Sequence, residues 1–111
     1  MQDPVDSLVS ELRRGTLVLC VLSQLRNQQY GYSLQQSLVE NGLDIEQGTL
    51  YPLLRRLEEQ GLLDSEWSVT TSRPRKYYII NAEGQRVLAS LAEAWQHIVA
   101  TIDELLQGSV A

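Results

Sequence analysis

The sequence has no phenylalanine and only one cysteine, one histidine and one methionine. A single cysteine, Cys20, excludes an intrachain disulfide. Cys20 and the lone His97 are too few to form a zinc site within one chain. They also lack a recognisable third catalytic partner, and there is no G-x-G-x-x-G or Walker loop. We therefore expect no enzyme activity, no cofactor and no metal centre.

Long apolar runs are also missing. No uninterrupted hydrophobic segment is long enough to span a membrane, and the N-terminal MQDPVDSL is acidic and has no apolar signal region. We expect a cytoplasmic protein with no membrane partner. A chain of 111 residues has the length of one small domain, whose limited core makes oligomerisation a natural source of stability.

Basic residues are scarce, with nine Lys and Arg against fourteen Asp and Glu. Taken alone, this balance argues against nucleic acid as a partner. However, five of the nine bases lie between Arg55 and Lys76, whereas from Asn81 onward there is one base, Arg86, against four acids. An acidic protein with such polarised charge can still present a basic face.

The first part of the chain is predicted to be helical. Hydrophobic residues recur at helical spacing over residues 8–25, and residues 27–31 resemble a loop. A short second helix over residues 33–40 ends at Asn41-Gly42, which suits a left-handed cap. Cys20, inside the first helix, is expected to be a buried core residue.

The third helix ends before Gly61 and has one apolar face. Two starts compete: Asp44 as N-cap with Gln47 completing a capping box, or Thr49 as N-cap, which places Pro52 in the first turn. Leucines at helical spacing form the apolar face: Leu50, Leu53, Leu54 and Leu57.

Beyond the third helix the pattern changes to that of strands. Residues 62–69 alternate and residues 76–80 are rich in β-formers, which predicts a β-hairpin with Arg73 and Arg75 near its tip. Asn81 is expected to cap a final helix to Gln107. A heptad seam in that helix comprises Gly84, Leu88, Leu91, Trp95, Ile98, Ile102 and Leu105.

The seam has two interpretations. It can pack on the core of its own domain, or it can pair with a second copy. Because a protruding apolar helix would expose too much hydrophobic surface, we favour a homodimer. Its predicted interface comprises Leu88, Leu91, Trp95, Ile98, Ile102 and Leu105.

The order of elements is that of a winged helix-turn-helix. We predict a mainly α fold with a β-hairpin, divided into a winged helix-turn-helix DNA-binding domain at residues 1–80 and a C-terminal dimerisation helix at residues 81–111. In this motif the third helix lies in the DNA major groove. Its front and the hairpin tip form the predicted DNA-binding set: Gly48, Thr49, Tyr51, Pro52, Arg55, Arg56, Arg73, Arg75 and Lys76.

Each part of this set also has an alternative explanation. Arg55 and Arg56 can reach phosphates or guanine edges, but they can also pair with Glu58 and Glu59 on a solvated helix face. The run RPRK can follow the DNA backbone or simply form a polar turn.

Two stretches, GTLYPLLRRLEEQGLL and SRPRKYYIINAEG, resemble the signature of the PadR family of bacterial transcriptional regulators, and YGYSLQQSL resembles its second helix. The resemblance runs from about Gly15 into the final helix and is closest to the small PadR subgroup. It implies that Pro52 is normal in the recognition helix, and Tyr32 and Ser33 join the predicted DNA-binding set. Ser72 stands where the family often has glycine. At residues 79–81 the sequence IIN replaces the more usual order of a polar residue, a leucine and a threonine.

The resemblance implies a dimeric winged-helix repressor whose first and last helices form the interface. Such a protein binds an inverted-repeat operator in double-stranded DNA and leaves it when a small molecule or another signal intervenes. The alternative is a winged-helix protein-protein interaction module without sequence-specific DNA binding. The acidic total charge favours this alternative, and the bases between residues 55 and 76 oppose it.

Trp95 is the candidate site for a small hydrophobic or aromatic effector. In a symmetric dimer, two facing indoles on the seam can sandwich a flat molecule, although a large aromatic residue on a seam usually serves only as interface packing. Some multidrug-responsive PadR members carry a tryptophan at the matching place in EAW and bind planar compounds there. That resemblance implies a ligand-binding set of Thr16, Leu19, Cys20, Leu91, Trp95 and Val99.

Overall fold

A computed structural model describes residues 3–70 and 72–108. Its helices are α1 (Pro4–Arg14), α2 (Leu17–Gln24), α3 (Gly31–Glu40), α4 (Gln47–Glu59) and α5 (Ala82–Leu106). Its strands are β1 (Gln29–Tyr30), β2 (Leu63–Ser68) and β3 (Arg75–Ile80), which form one antiparallel sheet in the order β1-β3-β2. The predicted fold class is confirmed. Thr71, in the predicted hairpin connection, lies outside the described residues.

The core lies where α2, α3 and α4 meet the sheet and the start of α5. All four leucines of the apolar face of α4 are buried there. Burying one leucine side chain contributes about 1.5–3 kcal/mol, so these four strongly favour a single orientation of α4. Their buried neighbours from the other elements include Val21, Leu22, Leu34, Leu38, Tyr78, Ile80 and Leu88.

Both predicted starts of the third helix are wrong. The helix begins between them, at Gln47 with Glu46 as N-cap, and no side chain caps it. Pro52 therefore lies inside α4 and cannot donate to the carbonyl of Gly48, four residues earlier. Gly48 is exposed, and nothing lies within 4 Å of the place a Cβ would take. Water can therefore reach this turn, and the local cost of the proline is reduced.

The predicted first helix is divided into two. α1 ends at Arg14, with Gly15 as C-cap, and the Thr16 hydroxyl donates to the carbonyl of Arg13 at 2.8 Å. The predicted loop at residues 27–31 contains β1 and the first residue of α3. Cys20 is only partly buried, because α2 has one side outside the core.

The predicted ends of the second and third helices, and the predicted start of the last helix, agree with the structure. Gly42 and Gly61 have φ angles of 91° and 81°, which suit glycine after a helix. The Asn81 side chain accepts a hydrogen bond from the Gly84 backbone N–H at 2.9 Å, and so caps α5.

Two helices project apolar surface away from the core. α1 has no buried residue, and in α5 only Gly84 and Leu88 are buried. The radius of gyration is 16.7 Å, whereas a compact chain of this length has about 13 Å. The start of the seam, including Leu88, packs on the core of its own domain, whereas its later residues are exposed. None of the described helices is long and apolar enough to cross a membrane.

Gly84 is predicted to be essential for docking α5. A Cβ at this position would clash with the Leu62 carbonyl oxygen and lie 2.5 Å from Cγ1 of Ile80. We expect Gly84→Ala to destabilise the protein by about 1–3 kcal/mol in urea unfolding, because backbone cannot move aside cheaply. Gly48→Ala is the matched control; it has open space and should stabilise by up to about 1 kcal/mol. Equal stability of the two variants would contradict the packing described.

Candidate nucleic-acid interface

A cleft of about 750 Å³ separates the front of α4 from the β2–β3 wing. Four cations line it, and no acid does. We call it the basic cleft. Its lining comprises Tyr30, Gly31, Tyr32, Gln47, Tyr51, Leu54, Arg55, Trp67, Arg73, Pro74, Arg75, Lys76 and Tyr78. In a chain of net charge −5, this local concentration of positive charge favours the approach of anions.

The close approach of α3 and α4 shapes one wall of the basic cleft. The ring of Tyr51 lies against Gly31, where a Cβ would be 2.6 Å from the ring Cε1. Glycine at the start of α3 therefore lets the Tyr51 ring occupy this space. The same turn of α3 carries Tyr32, which is exposed at the cleft.

Arg75 is held on the wing by aromatic contacts. Its guanidinium carbon lies 4.5 Å from the centre of the Tyr30 ring, and Tyr30 in turn meets Tyr77 edge to face, with ring centres 5.4 Å apart. A guanidinium over a ring face keeps its N–H groups at the edge, so Arg75 can still donate to an anion.

Lys76 is tied to α4 by an ion pair. Its Nζ lies 3.0 Å from Oε1 of Glu58, and the Ser65 hydroxyl donates to the other carboxylate oxygen. The hydrogen bond from Ser65, followed by that from Lys76, lowers the pKa of Glu58 below its ordinary value. The hydrogen bond to Glu58 raises the pKa of Lys76. The pair joins the wing to α4. The Glu58 carboxylate also neutralises part of the Lys76 charge within the protein.

Six residues of the predicted DNA-binding set meet in the basic cleft: Tyr32, Tyr51, Arg55, Arg73, Arg75 and Lys76. Gly48, Thr49 and Pro52 are exposed on α4 outside the lining. Ser33 instead bonds its own helix start, donating to the carbonyl of Tyr30 at 3.0 Å. Trp67 also lines the cleft, although the sequence pattern assigned it no role in binding. The feature that could have indicated such a role is an aromatic residue among the polar residues at the end of its strand.

Arg56 lies apart from Arg55. It lines a second cleft, between α2, α4 and α5. In the described parts of the chain neither arginine forms an ion pair, and Glu58 is occupied by Lys76. The two neighbouring arginines thus serve different surfaces, a division that follows from the helical turn of about 100° per residue.

The second cleft has a volume of about 450 Å³ and is mostly apolar. We call it the Trp95 cleft. Trp95 remains 42% exposed, and Cys20 and Val99 are not part of the lining. The predicted ligand-binding residues that line it are Thr16, Leu19, Leu91 and Trp95. Among residues 3–70 and 72–108, no group of His, Cys, Asp or Glu is arranged to hold a metal ion.

The chain is similar in sequence to known proteins. Residues 18–90 match the Transcriptional regulator PadR-like family. The transcriptional regulator Rv3488 of Mycobacterium tuberculosis is 33% identical over 93 residues, which cover 83% of this chain and 87% of that protein.

Solved structures of similar proteins share the fold. A PadR family transcriptional regulator from Eggerthella lenta is 55% identical with a TM-score of 0.89, covering 92% of this chain and 91% of that one. A PadR-like transcriptional regulator from Bacillus cereus is 29% identical with a TM-score of 0.79, covering 89% and 99%.

The Glu58–Lys76 pair is expected to make stability depend on pH. Because the folded pKa of Glu58 is lowered from 4.5, its contribution is complete above that value and is lost as the pH falls through the folded pKa. We expect Glu58→Gln to cost about 0.5–1 kcal/mol at neutral pH, measured by urea unfolding. The difference from the unmodified protein should vanish in acid.

Glu59→Gln is the matched control for this measurement. Glu59 is the exposed neighbour of Glu58 and forms no ion pair in the described chain. Its substitution should leave stability nearly unchanged. A loss in both variants, or one for Glu58→Gln that persists in acid, would contradict the role given to this pair.

Proposed function

The chain belongs to the PadR-like family of transcriptional regulators, and from this premise we propose that it is a dimeric DNA-binding repressor that leaves an inverted-repeat operator when a planar aromatic effector binds. A regulator of this kind would act in the cytoplasm. The observation that carries the proposal is the basic cleft, with four cations and no acid between α4 and the wing.

The way α4 is held supports the proposal of DNA binding. Its leucines are buried, so the opposite face, with Gly48, Thr49, Pro52 and Arg55, is directed to solvent. A helix presented in this way fits the major groove, where arginine can contact guanine edges or phosphates. Arg73 and Arg75 on the wing would then follow the adjacent DNA backbone.

Dimerisation would cover the apolar surface that projects from the core. The exposed face of α1 carries Val5, Leu8, Val9 and Leu12, and that of α5 carries Trp95, Ile98, Ile102, Leu105 and Leu106. Both faces are long, narrow and hydrophobic, which is typical of helices that pack on a partner. A second copy would also supply the second DNA-reading helix that an inverted repeat requires.

The Trp95 cleft is a suitable place for the effector. Its apolar lining and exposed indole favour a flat aromatic molecule held by stacking and shape. Arg56 of α4 and Gln60, the C-cap residue of that helix, line the same cleft. A ligand in it would therefore touch the proposed recognition helix and could displace it relative to the second copy, which would weaken operator binding.

Arg55 is expected to be a direct DNA contact. Arg55→Ala should lower affinity for duplex DNA roughly tenfold and reduce the salt dependence by about one ion per half-site, with little change in melting temperature. Arg86→Ala is the matched control, since Arg86 is an exposed arginine on α5 outside the basic cleft. Fluorescence anisotropy across a salt series measures both. Equal binding by the two variants would favour the protein-interaction alternative.

Ile102 is expected to lie in the dimer interface. It is exposed on the later part of α5, and Ile102→Glu should shift the protein toward monomer in sedimentation velocity, because a charge buried without a partner is costly. Thr101→Glu places the same charge one position away, off the seam, and should leave the dimer intact. A dimer unaffected by Ile102→Glu would place the interface elsewhere.

Trp95 is expected to hold the aromatic effector. Trp95→Ala should abolish binding of planar aromatic dyes, because the stacking surface is removed; a dye titration followed by its own fluorescence measures this. Trp67→Ala serves as the control, since it removes the other tryptophan and should leave dye binding intact. Dye binding that survives in Trp95→Ala would place the ligand site elsewhere.

A further inference from the structure

Trp67 is a large aromatic side chain that the core does not explain. It is 63% exposed on β2, where most of an indole would be in contact with water. It lines the basic cleft between α4 and the wing. Exposed aromatic surface within the basic cleft indicates a partner that covers it.

The sheet directs Trp67 toward α4. In the register of β2 with β3, Leu63 pairs with Ile80, Ser65 with Tyr78, and Trp67 with Lys76. Directly opposed residues in an antiparallel pair lie on one face. That face contains the buried Leu63, Ile80 and Tyr78, and both Ser65 and Lys76 bond Glu58 of α4. The indole therefore belongs to the side of the wing that faces the proposed recognition helix.

The chemistry around Trp67 selects the partner. The lining of the basic cleft contributes four cations and no acid, together with the rings of Tyr30, Tyr32 and Tyr51. The partner must therefore be strongly anionic and must also offer apolar surface to an indole. The backbone of duplex DNA meets both requirements, because its phosphates alternate with deoxyribose rings.

We propose that Trp67 is a DNA-contact residue whose indole packs against deoxyribose, with its N–H donating to a phosphate. The strand it contacts would run through the basic cleft, between the major groove occupied by α4 and the groove reached by the wing. This inference rests on the proposed DNA-binding function and adds a neutral aromatic contact to the arginines.

Because the proposed Trp67 contact is uncharged, it predicts a salt dependence of DNA binding that differs from that of an arginine contact. An arginine that meets a phosphate releases counterions, so its loss lowers both affinity and the salt dependence of binding. The indole carries no charge, so Trp67→Ala should lower affinity about tenfold while leaving the slope of affinity against salt unchanged. Because sugars and phosphates are the same in every sequence, operator and mixed-sequence DNA should be weakened alike.

Two tryptophans allow a direct experiment. In Trp95→Phe, Trp67 is the only tryptophan, and a short mixed-sequence duplex at low ionic strength should protect its fluorescence from acrylamide. In Trp67→Phe, the remaining Trp95 reports on a site outside the basic cleft, and DNA should protect it from acrylamide much less than it protects Trp67. Anisotropy with a labelled duplex confirms that both variants are bound during the measurement.

The outcomes separate the inference from the proposed function. Protection of Trp67, with weaker binding and an unchanged salt slope in Trp67→Ala, would support the contact. DNA binding with no protection of Trp67 and full affinity in Trp67→Ala would overturn the contact and leave the regulator intact. Absence of DNA binding by the unmodified protein would overturn both. A melting temperature of Trp67→Ala close to that of the unmodified protein establishes that lost affinity is not lost folding.

Discussion

The buried leucine face of α4 is the contact on which the rest of the structure depends. Leu50, Leu53, Leu54 and Leu57 are buried against α2, α3 and the sheet, and their helical spacing leaves no freedom to rotate the helix without exposing one of them. The orientation of the opposite face, including Arg55, follows from this packing. The wing, which forms the other side of the basic cleft, is also joined to α4 by the Glu58–Lys76 pair.

The two clefts give α4 a double role. Arg55 lines the basic cleft and Arg56 lines the Trp95 cleft, so adjacent residues of one helix contact the proposed DNA surface and the proposed effector surface. Short, rigid connections of this kind can transmit a small displacement, since packed helices shift as units. In the proposed mechanism, a ligand beside Trp95 would alter the spacing or tilt of two recognition helices without unfolding either domain.

Local signals made much of the fold predictable. Asn81 marked the start of α5, and Gly61 marked the end of α4, because caps depend on a few neighbouring residues. The break at Gly15 was hidden because hydrophobic spacing continues across it. The two-residue strand β1 depends on pairing with distant β3, for which no local pattern exists.

The candidate site was predictable to a similar extent. Positive charge at the wing and on α4 is visible in the sequence, and the structure collects Arg55, Arg73 and Arg75 in one cleft. The separation of Arg56 depends on which side of α4 faces α5, and the position of Trp67 depends on strand register. Both features depend on tertiary structure, which a pattern of residue types does not specify.

The most direct test of the account is selection of binding sites from random duplex DNA by the unmodified protein, followed by a salt titration on the selected sequence. The account predicts an enriched inverted repeat, because two α4 helices related by a twofold axis read equivalent half-sites. Its affinity should fall steeply with salt, because the basic cleft of each copy displaces counterions. A folded, dimeric protein that enriches no sequence would contradict the account and would assign the basic cleft to a different partner.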